Sequence, residues 1–385
     1  MKKVTRVQNV VSSRGRWSEL RRGYTNEAIL SRSLLVVCPT EYGGQIEHAA
    51  EIAAAASRTA MFSRVILLSR PGAREATSGW KDSFELHETL LPRRPSTSPW
   101  RRVSQTIDLL RERAHIRRLV GSLQGAAALT ILWETSKYGL TRRTSRVENV
   151  LFLHNAIPHE AKQMTLRDRL FFLQEQRTVR RATLTALHGE AQRAIVTRWR
   201  ARRIVVVPLP GDSRTVLVSE QVPGALCLGE VRPNKGLENA IQAATSATIP
   251  LRVIGAPQPD SYGDQLRDHV RGSTATVDFR YLDADEFNTT LASAEVVLLP
   301  YTHFSAQSGV LAKAMQYGRR IIASDLDSLR EQAGDYPLIE FVDPGSTDEL
   351  ASRLAALRNA TTVETAQHHR ETQQEWDDVA RRIFG

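Results

Sequence analysis

Arg232 and Lys235 stand three residues apart in the stretch LGEVRPNKGLENAI, Leu228 to Ile241, between an apolar run and a helix-like segment beginning near Gly236. A guanidinium offers a fork and an ammonium a point charge, so the two together suit a diphosphate held at the C-terminal end of a strand. A second stretch, VVLLPYTHFSAQSGVLAKAMQYGRRIIASD from Val296 to Asp325, ends an apolar run at Pro300 and opens a helix at Ser308 and Gly309. The Ser308 hydroxyl with the amides of Gly309 and Val310 would make an anion cradle there. A third, EYGGQIEHA at Glu41 to Ala49, puts Gly43 and Gly44 where a ligand can approach backbone at a helix start; a tight strand-to-helix turn would require the same pair. His154 and Asn155 end the run VLFLHN, His159 and Glu160 follow, and Glu134 ends LTILWE. Imidazole and carboxylate groups at strand ends are candidates for an acceptor site or for structural hydrogen bonds.

The order of apolar runs says how these groups are positioned. LLVVCPT at Leu34 to Thr40 precedes an Ala-rich helix former, Ile46 to Ala56, and similar runs recur as RVILLS, LTILWE, VLFLHN, TLTALH and RIVVVPLP. Beyond Gly211 the alternation restarts with ALCLGE, PLRVIGA, FRYL, AEVVLLP, RRIIAS and LIEFV. Short buried strands alternating with helices predict two Rossmann-like, doubly wound parallel sheets, an α/β architecture. The expected division is a basic extension over 1–32, a first domain over 33–210 and a second over 211–365. A charged amphipathic helix over 366–385 would be free to pack back across the junction.

At 385 residues with 41% hydrophobic and 24% charged residues, the chain suits two soluble globular units. No apolar run reaches the roughly 18 residues of a membrane span, and the first residues lack the apolar centre of a secretory signal, so a cytoplasmic protein is expected. Cys38 and Cys227 each lie beside an apolar run and read as buried thiols. Through residue 210 there are 36 Lys and Arg against 17 Asp and Glu, a net of +19, which leaves 16 against 25, or −9, for the remainder. A basic first half fits an anionic surface such as a membrane, at whose inner face the protein would sit peripherally, or a lipid-linked phosphate. Aromatics at 6% with no stacking pattern argue against a nucleic-acid partner. No Cys or His spacing has the form of a metal site and there is no Asp-x-Asp pair, so no metal and no resident cofactor are expected.

Taken in order, the GG turn, FLHNAIPHE, GEVRPNKGL, LPY followed by QSGVL, and IIASD resemble retaining glycosyltransferases of the family-4 type, with the GT-B fold of two domains facing each other across a cleft. The resemblance spans roughly residues 34–365. It implies a nucleotide-sugar donor whose diphosphate lies against Gly44, Arg232, Lys235, Ser308, Gly309 and Val310, with Arg280, Tyr281 and Leu282 near the base. Gly43, Gly44, His48, Glu134, His154 and Asn155 would face a glycan, lipid-linked or small-molecule acceptor, and His154, Arg232 and Lys235 would serve the reaction. Many members of the family carry two Glu where this chain has Ser305 and Lys313, and a subgroup with the QSGV signature lacks that pair. A non-catalytic partner protein on the same fold and a nucleotide-sugar epimerase are the competing readings; an epimerase needs acid and base carboxylates in the cleft. Lys313 is expected to play a minor role as a surface lysine.

Overall fold

A computed structural model describes residues 32–92, 101–124, 128–141, 144, 146–156, 166–214, 220–358 and 372–385. The expected N-terminal extension, His159 and Glu160 lie outside the described residues.

The first unit is a parallel sheet in the order β3-β2-β1-β4-β5-β6-β7. Its strands are β1 (Arg32–Val37), β2 (Arg64–Leu68), β3 (Glu85–His87), β4 (Ala128–Trp133), β5 (Val147–Leu153), β6 (Leu184–His188) and β7 (Ile204–Val207). The helices used below are α1 (Gly44–Arg58), α2 (Arg101–Leu123) and α3 (Leu166–Arg181). The second unit is a parallel sheet in the order β10-β9-β8-β11-β12-β13, built from β8 (Val222–Leu228), β9 (Leu251–Ile254), β10 (Ala275–Asp278), β11 (Ala294–Leu299), β12 (Arg320–Ser324) and β13 (Ile339–Val342). Around it stand α4 (Leu237–Ala247), α5 (Asp260–Val270), α6 (Ala284–Ala292), α7 (Gly309–Gln316), α8 (Asp327–Ala333) and α9 (Thr347–Arg358).

Parallel strands covered on both faces must be apolar at consecutive positions, and Leu34 to Val37 are fully buried. Alternate residues feed opposite faces: Leu34 and Val36 pack with α1 on one side, and Leu35 and Val37 with Ile116 and Val120 of α2 on the other. The second sheet divides in the same way, with Cys227 packing against Ala240 and Ala244 of α4 and Leu226 against Leu311 of α7. Both cysteines are free and buried, and burial pushes the Cys227 thiol up to about 12, which leaves it inert.

The last helix, α10 (Thr372–Phe384), leaves the second unit and lies on the first, with Trp376, Val379, Ala380, Ile383 and Phe384 joining the α1 side of the core. Asp377 pairs with Arg58 at 2.8 Å, and the Trp376 indole donates to the Gly211 carbonyl at 2.9 Å. The chain therefore crosses the junction twice, at Pro208–Ser213 and again through α10.

One strand expectation needs correction, and one strand has no counterpart among the expected runs. FRYL is not a strand: β10 precedes it, paired with β9 from Ala275 to Asp278, and the Arg280 amide then turns back onto the Asp278 carbonyl at 3.1 Å. FELH, which has too few apolar residues to announce itself, supplies the edge strand β3 through the pairs Ile66 to Glu85 and Leu68 to His87.

Candidate active site

Each sheet reverses its strand order once, between β1 and β4 in the first and between β8 and β11 in the second. Loops leaving the C-terminal ends of such strands diverge and open a crevice where ligands bind. The stretches singled out in sequence lie at these crevices: Gly43 and Gly44 after β1, Glu134 after β4, Arg232 and Lys235 after β8, and Ser308 to Val310 after β11. The two crevices meet in one cleft of about 980 Å³. Gly43, Gly44, His48 and His154 line one wall, and Arg232, Lys235, Ser308, Gly309 and Val310 line the other.

The loop carrying Arg232 and Lys235 is fixed by its backbone. Gly236 adopts φ 63°, and a β-carbon there would collide with the Pro300 carbonyl at the exit of β11. Asn234 is buried, donates to the His303 carbonyl at 3.3 Å, and accepts from the Thr302 amide at 3.0 Å. The Lys235 ammonium reaches the Tyr301 hydroxyl at 2.7 Å, a neutral partner that leaves its charge uncompensated by any carboxylate among the described residues. Arg232 pairs with Glu230 at 2.6 Å and donates to Gln258 at 3.2 Å.

At the start of α7 the Ser308 hydroxyl accepts from the Leu311 amide at 3.3 Å, a helix cap, and the Ala312 amide bonds the Ser308 carbonyl. The amides of Gly309 and Val310 are the first of the helix and have no intrahelical partner. The Ser308 amide donates to Gln332 at 2.6 Å, so it is committed to α8. Arg280 has two acidic partners. Its guanidinium is held by Asp278 and Glu286, so its charge is shared with two carboxylates where it lines the cleft beside Tyr281 and Leu282. The Tyr281 hydroxyl accepts from the Gly43 amide at 3.1 Å, joining the two walls across the cleft mouth.

Lys313 is not a surface lysine. Its ammonium lies 2.8 Å from Glu47 of α1, 3.0 Å from Asn288 and 3.4 Å from Asp212, so it ties the second unit to the first and to the connecting segment. Burial opposes ionisation of Asp212, but Arg214 and Lys313 outweigh it and hold the carboxyl at about 2. Glu51 of α1, absent from the sequence reading, is buried in the cleft wall, accepts from the Ser213 amide at 2.6 Å, and meets the Trp80 indole at 3.2 Å. Burial, reinforced by the Asp212 charge, pushes it up to about 7 against those hydrogen bonds.

On the first wall, Glu134 does not face the cleft: it is 1% exposed and sits beneath the histidines. Its Oε2 meets His48 Nδ1 at 3.2 Å and also His154 Nε2, while His48 Nε2 lies 2.9 Å from His188 Nε2. Burial would raise the Glu134 carboxyl, yet the two imidazoles hold it at about 2; burial lowers His48, and His188 further. Asn155 is half-buried and does not line the cleft, while His188 does. His188 ends TLTALH as His154 ends VLFLHN, the same strand-end signal, and that signal was sufficient to find it.

Two doubly wound domains of this topology, closed face to face over a cleft and strapped by a returning C-terminal helix, form the GT-B fold. Residues 222–359 match the sequence family described as glycosyl transferases group 1. The whole fold is similar to a sucrose-phosphate synthase from Thermosynechococcus elongatus, at a TM-score of 0.66 and 14% identity over 92% of this chain and 95% of that one. It is similar to WaaG, a glycosyltransferase involved in lipopolysaccharide biosynthesis, at 0.64 and 16% over 92% and 100%. The Anabaena protein HepE, solved with UDP and glucose, gives 0.60 and 12% over 91% and 95%. No curated protein sequence matches the chain significantly.

Proposed function

We propose that this chain transfers a sugar from a nucleotide diphosphate donor to an acceptor hydroxyl bound between its domains, with retention at the anomeric carbon. One observation carries the reading: a lysine without a carboxylate partner, an arginine and two open helix-start amides line the same cleft wall, opposite His154 and the start of α1. A diphosphate there meets two cations and a helix dipole where negative charge grows as the bond to the sugar breaks. The relative that was solved with UDP and glucose has the same fold, which supports a nucleotide-sugar donor.

The acceptor oxygen attacks the anomeric carbon from the face the leaving diphosphate is vacating. The carbon–oxygen bond to the phosphate breaks, a new one forms to the acceptor, and the acceptor proton passes to a diphosphate oxygen. Arg232, Lys235 and the Gly309 and Val310 amides stabilise the leaving group; His154, 32% exposed at its side chain, faces the sugar. Lys313 supplies none of the family's glutamate chemistry, because an ammonium only donates; here it holds the domains together.

An anionic, lipid-bearing acceptor fits the surface of the first domain. Leu170, Phe171 and Leu173 of α3 and Ile107 and Leu110 of α2 are exposed, and both helices also carry several arginines. Arg113 of α2 and Gln174 of α3 both donate to the Lys137 carbonyl, so the two helices flank the same turn. Exposed apolar side chains among arginines suit a peripheral contact with an anionic membrane.

The test is substitution. Lys235→Ala and Arg232→Ala each lower kcat/KM more than tenfold, a loss of about 1.4 kcal/mol or more of transition-state stabilisation. They also abolish the thermal shift given by nucleoside diphosphates. Turnover unchanged in both would remove the donor site from this wall.

A further inference from the structure

His48, His154 and His188 come from α1, the end of β5 and the end of β6, and one nitrogen from each ring lies within 4.8 Å of the other two. Hydrogen-bond partners fix the tautomers of two of them. His188 Nδ1 lies 3.2 Å from the Val207 carbonyl, which can only accept, so Nδ1 carries the proton and Nε2 the lone pair. His48 Nδ1 faces the Glu134 carboxylate, so its Nε2 is also left as a lone pair. Those two Nε2 atoms are 2.9 Å apart. Two imidazole lone pairs at that distance repel unless an electron-pair acceptor joins them. The arrangement is that of metal-ligating histidines, whose second nitrogen donates to a carboxylate or a backbone carbonyl.

We propose that His48, His154 and His188 form a binding site for one divalent metal ion of the zinc class. Imidazole nitrogens suit Zn²⁺ and its neighbours, and three protein ligands leave a fourth position open. At Zn–N distances of about 2.0–2.1 Å two tetrahedral ligand nitrogens stand about 3.4 Å apart, so the Nε2 pair must part by about half an ångström. His154, the most exposed of the three rings, makes the remaining adjustment. Glu134 completes the case. Its Oε2 serves both His48 and His154, while its Oε1 is buried without a hydrogen-bond partner, a charge enclosed with imidazoles. A dication among the rings compensates it. All three histidines border the cleft, so the open position faces the acceptor side.

This site is separate from Arg232 and Lys235 and stands whether or not sugar transfer does. The full chain, stripped with EDTA and titrated with Zn²⁺ by calorimetry, takes up one ion, and Co²⁺ in its place gives the visible absorption of a four-coordinate nitrogen site. Glu134→Gln weakens Zn²⁺ by about 10- to 100-fold through the weakened support of His48. His154→Gln, at the half-exposed ring, weakens it at least tenfold, and His188→Gln removes it. His269→Gln, at an exposed position of α5, changes nothing. Absence of Zn²⁺ uptake overturns the proposal, as does uptake unaltered in both His154→Gln and Glu134→Gln. So does nitrogen NMR showing that a proton stays shared between His48 and His188 when Zn²⁺ is in excess.

Discussion

Glu51 offers a pH experiment whose size follows from its surroundings. The side chain is 3% exposed, and its carboxyl is raised from 4.5 to about 7, foremost by burial. A raised carboxyl keeps its proton in the folded chain after the unfolded chain has lost it. The stability it contributes is therefore fully present below about pH 4.5 and is lost as the pH rises through about 7. At 1.36 kcal/mol per pH unit, the loss across that window is about 3 kcal/mol. Glu51→Gln holds the group neutral at every pH. The amide oxygen still accepts from Ser213, and the Trp80 indole keeps the Ser213 hydroxyl at 3.2 Å. The assay compares melting temperatures of the two proteins at half-unit steps between pH 4.5 and 8. Their difference should move in favour of Glu51→Gln as pH rises, by several degrees in all, at about 2–4 °C per kcal/mol for a domain of this size. Glu175, also raised to about 7 by burial, contributes a similar slope to both proteins and cancels in the comparison. A constant difference across the window would refute the reasoning, since it would mean that Glu51 is ionised in the folded chain well below pH 7.

Three further substitutions probe the frame around the cleft. Lys313→Ala strips a partner from Glu47 and Asp212, both largely buried, and is expected to cost about 3 kcal/mol, the lower end for a broken buried pair; an unchanged melting temperature, with an unchanged radius of gyration in small-angle scattering, would show that the domains do not depend on it. Gly236→Ala forces a positive φ on a residue with a β-carbon and pushes it into the Pro300 carbonyl, so donor affinity falls with the displaced Lys235 loop and stability drops by about 1 kcal/mol or more. Phe171→Ser together with Leu170→Ser lowers sedimentation with anionic vesicles and leaves the melting temperature nearly unchanged, because both side chains are exposed; equal sedimentation of the double variant and the parent would remove the membrane contact.

Local pattern was enough for most of the strands and for the two loops that line one wall of the cleft. Consecutive apolar residues such as Leu34 to Val37 have few stable placements other than a covered parallel strand, and a glycine or capped helix start directly after such a strand lies at the ligand-binding edge wherever the sheet is open. Arg232, Lys235, Gly309 and Val310 were therefore legible as one side of a site. Where a side chain goes once its loop folds was not legible. Lys313 reads as a surface lysine along its helix, but the partner that buries it, Glu47, lies 266 residues away on the other domain. That Asp278 and Glu286 both close on the Arg280 guanidinium was not legible either. Glu134 and the three histidines are spaced too widely for any motif, and only the parallel order β4-β5-β6 brings their strand ends together beneath α1. Sequence fixes what each residue can donate, accept or carry, because those are properties of the side chain. Which of those capacities is spent within the protein and which is left facing the cleft depends on long-range contacts that only the tertiary structure brings into being.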